Sequence, residues 1–192
     1  VEYLRKHNKT IALGGQYVLI DKNGKIIGRR RYPEDFESIY KYIYIFNPIQ
    51  QPTIMIARHL LPKNFEYFQD GMNTAEEMEL TFKLFNYGKV ENLPDELIMY
   101  RIHNSNSSLI NVKKTFALTL IARIKAVFKH SYKPTPIGIL ATLMQTFVVF
   151  LLPQKITLFI YQKMRNTPLE MIFEEKVPNY FIFGKLLKSY RL

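Results

Sequence analysis

The pattern of apolar residues near the start of the chain predicts a strand and a hairpin. The run TIALGGQYVLID (10–21) has the β-branched and aromatic residues of a strand, interrupted by Gly14 and Gly15. Asn23 and Gly24 follow it, and this pair supplies the positive φ that a tight hairpin turn needs. We therefore expect the first strand to turn back into a second one, IIG.

The next segments alternate helical and strand-like periodicity. A helix is expected through FESIYKYIYIF (36–46), and PTIMIAR (52–58) predicts a short, mostly apolar strand. TAEEMELTFKLFNYG (74–88) predicts a second helix with Gly88 as its stop. KVENLPDELIMYRIH (89–103) predicts two short strands around a Pro-Asp turn. This alternation predicts an α/β domain over residues 1–110.

Two further helices are expected after this domain. VKKTFALTLIARIKAVFK (112–129) has apolar residues at helical spacing and lysines opposite them, which predicts a basic amphipathic helix. IGILATLMQTFVVFLL (137–152) is more apolar and stops at Pro153. Its length as a helix is about 24 Å, less than the ~30 Å hydrocarbon core of a bilayer. The pattern leaves open an interfacial helix, a hairpin, a kinked span or a soluble pair packed on the domain.

Charge is distributed unevenly along the chain. The net charge is +11, yet residues 1–110 hold 14 basic and 13 acidic residues, whereas residues 111–192 hold 13 and 3. No acidic residue occurs between Glu96 and Glu170. Such a stretch favours an anionic partner. Because its basic residues alternate with long aliphatic runs, an anionic membrane surface is the expected partner and nucleic acid is not.

Composition excludes some kinds of site. The chain has no cysteine, so neither disulfides nor a thiolate metal site can form. The hydrophobic fraction of 47% is too high for a disordered chain, so we expect a folded core.

An acidic cluster, Glu76, Glu77 and Glu79, stands at the start of the second predicted helix. Thr74 and Glu77 have the spacing of a capping box, in which the two side chains satisfy backbone N–H groups at the helix start. A carboxylate in this position beside a loop is also placed to act as a general base. Spacing alone leaves both interpretations open.

Four segments in order carry a resemblance to a known family: GGQYVLIDKNGKIIG, NPIQQPTIMIAR, AEEMELTFKLFNYGKVENLP and ELIMYRIHNSNSS. Together they closely resemble the second half of the catalytic domain of family 2 glycosyltransferases of bacterial envelope polysaccharide synthesis. The resemblance implies a GT-A fold, an α/β sandwich with a mixed sheet. It also implies an inverting transfer of a sugar from a nucleotide-sugar donor to a hydroxyl of a saccharide or lipid-linked acceptor.

The resemblance assigns roles to four residues. The family's acidic pair, whose second member is the catalytic base, falls on Glu76 and Glu77. Glu77 is thus the candidate base, although glutamate in place of the usual aspartate leaves an exchange of roles with Glu76 open. Arg101 and His103 fall on the family's Tyr-Arg-x-His segment, which implies contact with the diphosphate and, for His103, with a metal. A histidine at a strand end is otherwise a structural hydrogen-bonding residue.

One family motif is missing. Members hold a divalent cation, Mg²⁺ or Mn²⁺, with an Asp-x-Asp motif, and the four aspartates of this chain are isolated from one another. We therefore expect the chain to be the C-terminal portion of an enzyme and to be inactive alone.

These inferences give an expected organisation. Residues 1–110 form the C-terminal half of a GT-A domain, 111–166 a helical membrane-associating region, and 167–192 a tail. The expected location is the cytoplasmic face of the cell membrane, with the protein peripheral or shallowly inserted. The alternative function is a basic amphipathic module that binds membranes or nucleic acid without catalysis.

Overall fold

The computed structural model describes residues 1–68, 75–101, 112–153 and 156–157. Five helices and four strands form the framework of this part of the chain. In chain order they are α1 (Glu2–Lys6), β1 (Thr10–Ile20), β2 (Ile26–Arg30), α2 (Phe36–Tyr42), β3 (Met55–Ile56), α3 (Glu76–Leu84), β4 (Lys89–Arg101), α4 (Val112–Lys129) and α5 (Pro136–Leu151). Short 3₁₀ turns flank β3 at Gln51–Thr53 and Arg58–Leu60.

The sheet is built around β1, which is buried along its whole length. β4 pairs with it in parallel from Thr10 to Ile20 and so occupies one complete edge. β2 and β3 are antiparallel to β1 and pair with its second and first halves, so they share the other edge. The prediction of a mixed α/β sheet is confirmed, as is the hairpin, where Gly24 has a φ of 88°.

One strand prediction was wrong. β4 is a single strand of 13 residues, and Pro94 and Asp95 lie in a bulge inside it. The pairing shifts there from Gly14 opposite Asn92 to Gln16 opposite Glu96, so β4 accommodates extra residues. Proline has no N–H to pair, but a bulge absorbs it without ending the strand. The predicted strand over 52–58 is also shorter than expected, because 3₁₀ turns occupy most of the segment.

Gly88 has a different role from the predicted one. α3 ends at Leu84 with Phe85 as its C-cap, and Gly24 is the glycine with positive φ among the described residues. Gly88 instead lies against the backbone that leads into β1, where an added Cβ would come 2.6 Å from the Lys9 carbonyl oxygen. The residue allows β1 and β4 to approach at the start of their pairing.

Gly88→Ala is expected to destabilise the fold by about 1–3 kcal/mol, because the obstructing atoms belong to backbone that cannot rotate away. Gly28→Ala is the matched control, since its Cβ would meet only the Leu19 side chain, at ordinary contact distances of 3.4 and 3.9 Å. Urea unfolding of both variants measures the difference. Equal stabilities would contradict the close-approach role.

Two apolar clusters hold the helices on the sheet. The first joins β1 and β4 to α2 and α3 and includes Ile11, Ile39, Leu80, Leu84 and Val90. The second lies between α3, the residues that follow α2, and α4 with the loop after it, and includes Tyr44, Met78, Phe82, Ala126 and Tyr132. α3 therefore packs against the sheet with one side and against α4 with another.

α4 and α5, which we call the tail helices, occur where the sequence predicts them and form an antiparallel pair. Phe116 of α4 contacts Phe150 of α5 with ring centroids 6.1 Å apart. Arg123 of α4 reaches Thr142 and Gln145 of α5. The pair packs on the α/β domain, as expected for one of the alternatives. Within the described ranges, no helix is both long enough and apolar enough to cross a membrane.

Candidate active site

The acidic helix start lies at the N-terminus of α3. Ala75 is the N-cap residue, its own side chain makes no capping hydrogen bond, and the helix begins at Glu76. A capping box would need Thr74 as the N-cap, and Thr74 lies outside the described residues. With Ala75 as the N-cap, Glu77 is the second helical residue, whereas a capping box would make it the third. The capping box stays a prediction, because Thr74 is one of its two members.

Glu77 lies half-buried beside a small cleft. The cleft is lined by Asn47, Ile49, Gln51, Ile54, Leu80 and Thr81 in addition to Glu77 itself. The amide nitrogen of Asn47 donates a long hydrogen bond of 3.5 Å to Oε2 of Glu77. Burial raises the pKa of the Glu77 carboxyl, and the charge of Glu76 raises this pKa further. A carboxyl with these properties is more basic than an exposed one. The cleft itself has no room for a water molecule, so the proton would come from a hydroxyl that approaches the exposed part of the Glu77 carboxyl.

The third acidic residue has a structural partner. Glu79 is only 3% exposed, and its carboxylate forms an ion pair with Lys125 of α4 at 3.2 Å. This ion pair therefore joins α3 to α4. The acidic cluster thus combines a carboxyl beside a cleft at Glu77 with a cross-helix ion pair at Glu79.

Asn47 is held in place from two directions. On one side, the buried amide of Asn92 in β4 donates to the carbonyl oxygens of Pro33 and Pro48, at 2.7 and 3.0 Å. On the other side, the carbonyl oxygen of Ile45 accepts from Arg123 at 2.7 Å. The turn that carries Asn47 is therefore fixed to both the sheet and α4.

Sequence reasoning did not single out Asn47 or Asn92. Asn47 stands directly before Pro48, a turn signal whose side chain commonly bonds to nearby backbone, and here its Oδ1 accepts from the Ile49 N–H at 3.3 Å. Asn92 lies in a strand between Glu91 and Leu93, a setting that gives no local signal for a buried hydrogen-bonding role. Neither setting could point to Glu77, because the contacts span many residues of sequence.

Arg101 lies at a distance from Glu77. It is the last residue of β4 and pairs with Ile20, at the carboxyl end of β1. Leu80, one turn after Glu77, belongs to the same apolar cluster as Ile11 and Ala12, which lie near the other end of β1. Eight strand residues separate these points, about 26 Å at 3.3 Å per residue. The structure thus places these two predicted site residues at opposite ends of the strand.

The Arg101 guanidinium has backbone partners. Its Nη1 donates to the carbonyl oxygens of Asp21 and Lys22, both at 2.9 Å, and so holds the β1–β2 hairpin turn. Diphosphate binding by Arg101 stays a prediction. His103, the predicted partner and metal ligand, lies outside the described residues.

The predicted divalent cation has no ligand set in the described part of the chain. Across 1–68, 75–101, 112–153 and 156–157, no three His, Cys, Asp or Glu side chains come together as a metal site would require. The residues described here therefore do not fit a bound cation, and Mg²⁺ or Mn²⁺ stays a prediction for the complete enzyme.

Comparison with known proteins suggests which class of protein this chain resembles. The mixed α/β sheet is consistent with a nucleotide-sugar transferase-like domain. The chain is similar to a protein of Haemophilus influenzae (strain ATCC 51907 / DSM 11121 / KW20 / Rd) named "Uncharacterized glycosyltransferase", with 25% identity over 120 residues. The match covers 58% of this chain and 37% of the relative, so the chain spans well under half of that protein. No family model and no solved structure matches. The similarity suggests a glycosyltransferase.

Proposed function

We propose that this chain is part of an inverting glycosyltransferase of family 2 with the GT-A fold. The enzyme moves a sugar from a nucleotide-sugar to a hydroxyl of a saccharide or lipid-linked acceptor in cell-envelope polysaccharide or glycolipid synthesis. The similarity to a glycosyltransferase supports the reaction class. The observation that carries the site is the half-buried Glu77 carboxyl, whose pKa is raised beside a cleft.

In this proposal Glu77 is the general base. As the acceptor oxygen attacks the anomeric carbon, Glu77 takes the hydroxyl proton, a new glycosidic C–O bond forms, and the bond from the anomeric carbon to the phosphate oxygen breaks. The nucleoside diphosphate leaves with that electron pair. Asn47 orients the carboxylate by donating to Oε2. Arg101 is given no part in this transfer, because it lies ~26 Å along β1 from the end where Glu77 stands, too far to hold a diphosphate attached to the reacting carbon. Diphosphate binding by His103 rests on the resemblance, and a divalent cation would be held by residues outside the described part of the chain.

The test is a transfer assay with the complete enzyme. We expect release of a nucleoside diphosphate that depends on both a nucleotide-sugar and an acceptor, with the anomeric configuration of the product inverted relative to the donor. Mass spectrometry measures transfer, and NMR of the anomeric proton gives the configuration. A retained configuration would reject the proposed mechanism. Absence of transfer with every nucleotide-sugar tested would reject the proposed class.

A further inference from the structure

The α4–α5 pair has an apolar surface that faces away from the domain. We call it the outer face and define it by five large side chains that are 60–83% exposed. They are Phe128 of α4 and Leu140, Leu143, Phe147 and Leu151 of α5. An exposed patch of this kind is uncommon on a monomeric soluble protein and marks an interaction surface.

The distribution of residues around α5 is the reverse of that in an ordinary surface helix. Its buried positions are Gly138, Thr142 and Val149, two of them without a large apolar side chain. Leucine and phenylalanine side chains lie on the opposite side, where a surface helix normally has charged residues. Helices that face lipid show this arrangement, with small and polar residues at the protein contact and apolar residues outside.

Hydrogen bonds on its inner side fix the rotation of α5. Thr142 Oγ1 donates to the carbonyl oxygen of Tyr44 at 3.1 Å, and Gln145 Nε2 donates to the carbonyl oxygen of Ile45 at 3.0 Å. Thr142 and Gln145 also accept from the buried guanidinium of Arg123. Turning the leucines inward would break all of these bonds, so the outer face is a fixed surface of the fold.

The charge of this region indicates what the outer face binds. Residues 112–153 contain six basic residues and no acidic residue. Lys129 and Lys133 are exposed close in sequence to Phe128, the most exposed side chain of the face. A bilayer with anionic headgroups matches both features, since its acyl chains accept the apolar residues and its phosphates attract the lysines.

We propose that the outer face of α4 and α5 binds an anionic lipid bilayer, with Phe128, Leu140, Leu143, Phe147 and Leu151 inserted at the boundary between headgroups and acyl chains. This binding does not depend on the proposed glycosyl transfer and can be measured without a donor or acceptor. It also holds the α/β domain in one orientation on the membrane, because the pair is fixed to the turn that carries Asn47.

The first experiment uses tryptophan as a reporter, because the chain has none. Phe147→Trp and Phe128→Trp place a reporter on the outer face, and Met99→Trp places the control on β4, where residue 99 is 69% exposed. With vesicles of phosphatidylcholine and phosphatidylglycerol, emission from the two outer-face reporters is expected to shift to shorter wavelength. Emission from the Met99→Trp reporter should remain that of a hydrated indole. Equal shifts, or no shift at positions 147 and 128, would overturn the proposal.

The second experiment measures affinity by cosedimentation of the full chain with the same vesicles. Leu140→Glu with Leu143→Glu is expected to weaken binding by about tenfold or more, since both side chains lose a favourable apolar transfer. Ile27→Glu with Met99→Glu is the matched control, because it makes the same change in charge at two exposed apolar positions on the sheet. It should retain at least most of the affinity. Circular dichroism of both double variants verifies that they are folded.

Several results would overturn the proposal in favour of another occupant. Equal losses in the two double variants would mean that charge alone drives binding. A dimer that Leu140→Glu with Leu143→Glu dissociates, without vesicle binding, would identify a second copy of the chain as the partner. Vesicle binding that appears only after removal of residues 158–192 would identify that segment as the cover of the face. Salt-sensitive oligonucleotide binding without vesicle binding would identify nucleic acid.

Discussion

Replacing Glu77 with glutamine is expected to lower turnover of the complete enzyme by ~10²–10⁴-fold, the usual loss when a general base is removed. Glutamine keeps the size of the side chain and can still contact Asn47, but it cannot take the acceptor proton. Glu76→Gln is the control and should cost less, because its main effect is to remove the charge that raises the pKa of Glu77. Steady-state transfer rates of the two variants measure the difference.

Glu77→Gln is expected to lower turnover without lowering the stability of the folded protein at neutral pH. A carboxyl whose pKa is raised in the folded state binds more protons folded than unfolded between its ordinary pKa and the raised one. Stability of the native protein therefore falls as pH rises through this window, whereas turnover rises because the base becomes charged. Glu77→Gln removes this term, so its Tm at neutral pH should equal or exceed that of the native chain.

Two outcomes would reject the catalytic assignment of Glu77. Native turnover in Glu77→Gln would show that no proton passes to this residue. A lower Tm together with native turnover would show that the carboxylate serves to stabilise the start of α3. A larger loss of turnover in Glu76→Gln than in Glu77→Gln would instead mean that the two roles are exchanged.

Replacing Arg123 with alanine is expected to reduce the free energy of unfolding by about 2–4 kcal/mol, from lost hydrogen bonds and an unfilled space. The side chain is 2% exposed and donates to Thr142, Gln145 and the Ile45 carbonyl oxygen. No carboxylate bonds to it in the described part of the chain, and burial lowers its pKa to about 10. Among the described residues, Arg123 therefore holds α4 to α5 and to the turn after α2 through oriented hydrogen bonds.

Two further variants make this test specific. Arg123→Met fills much of the same volume without a buried charge, so it should cost less than alanine. Arg29→Ala removes an exposed arginine that pairs with Glu96 at 2.7 Å, and such surface pairs contribute about 0–1 kcal/mol. Urea unfolding compares the three. If Arg123→Ala lowers the free energy of unfolding no more than Arg29→Ala does, the buried hydrogen bonds of Arg123 do not stabilise the packing of α4 and α5.

Local pattern was sufficient to predict most elements of this fold. The tail helices, the first strand and the hairpin at Gly24 follow directly from periodicity and turn chemistry. The prediction failed where tertiary contacts override local preference. β4 continues through Pro94 because β1 pairs with it on both sides of the bulge, and Gly88 is determined by the nearby Lys9 backbone rather than by its own helix.

The candidate site was only partly predictable. The resemblance identified Glu77, but its cleft and the contact with Asn47 depend on residues 30 positions apart in sequence. Arg123 is a similar case, since a pattern of apolar residues assigns a lysine or arginine to the solvent side of a helix. The sequence could not show that this one arginine points inward, because its acceptors include a backbone carbonyl 78 residues away.

The two donors to the Ile45 carbonyl oxygen also have a consequence for synthesis. They come from Arg123 and Gln145, which follow it by 78 and 100 residues. A chain emerging from the ribosome therefore completes the sheet strands well before it completes the turn that carries Asn47. Contacts of long sequence separation are associated with slow folding. In a nascent chain that has not yet exposed α4 and α5, the Ile45 carbonyl oxygen has neither donor, and the turn that places Asn47 beside Glu77 is not yet held from that side.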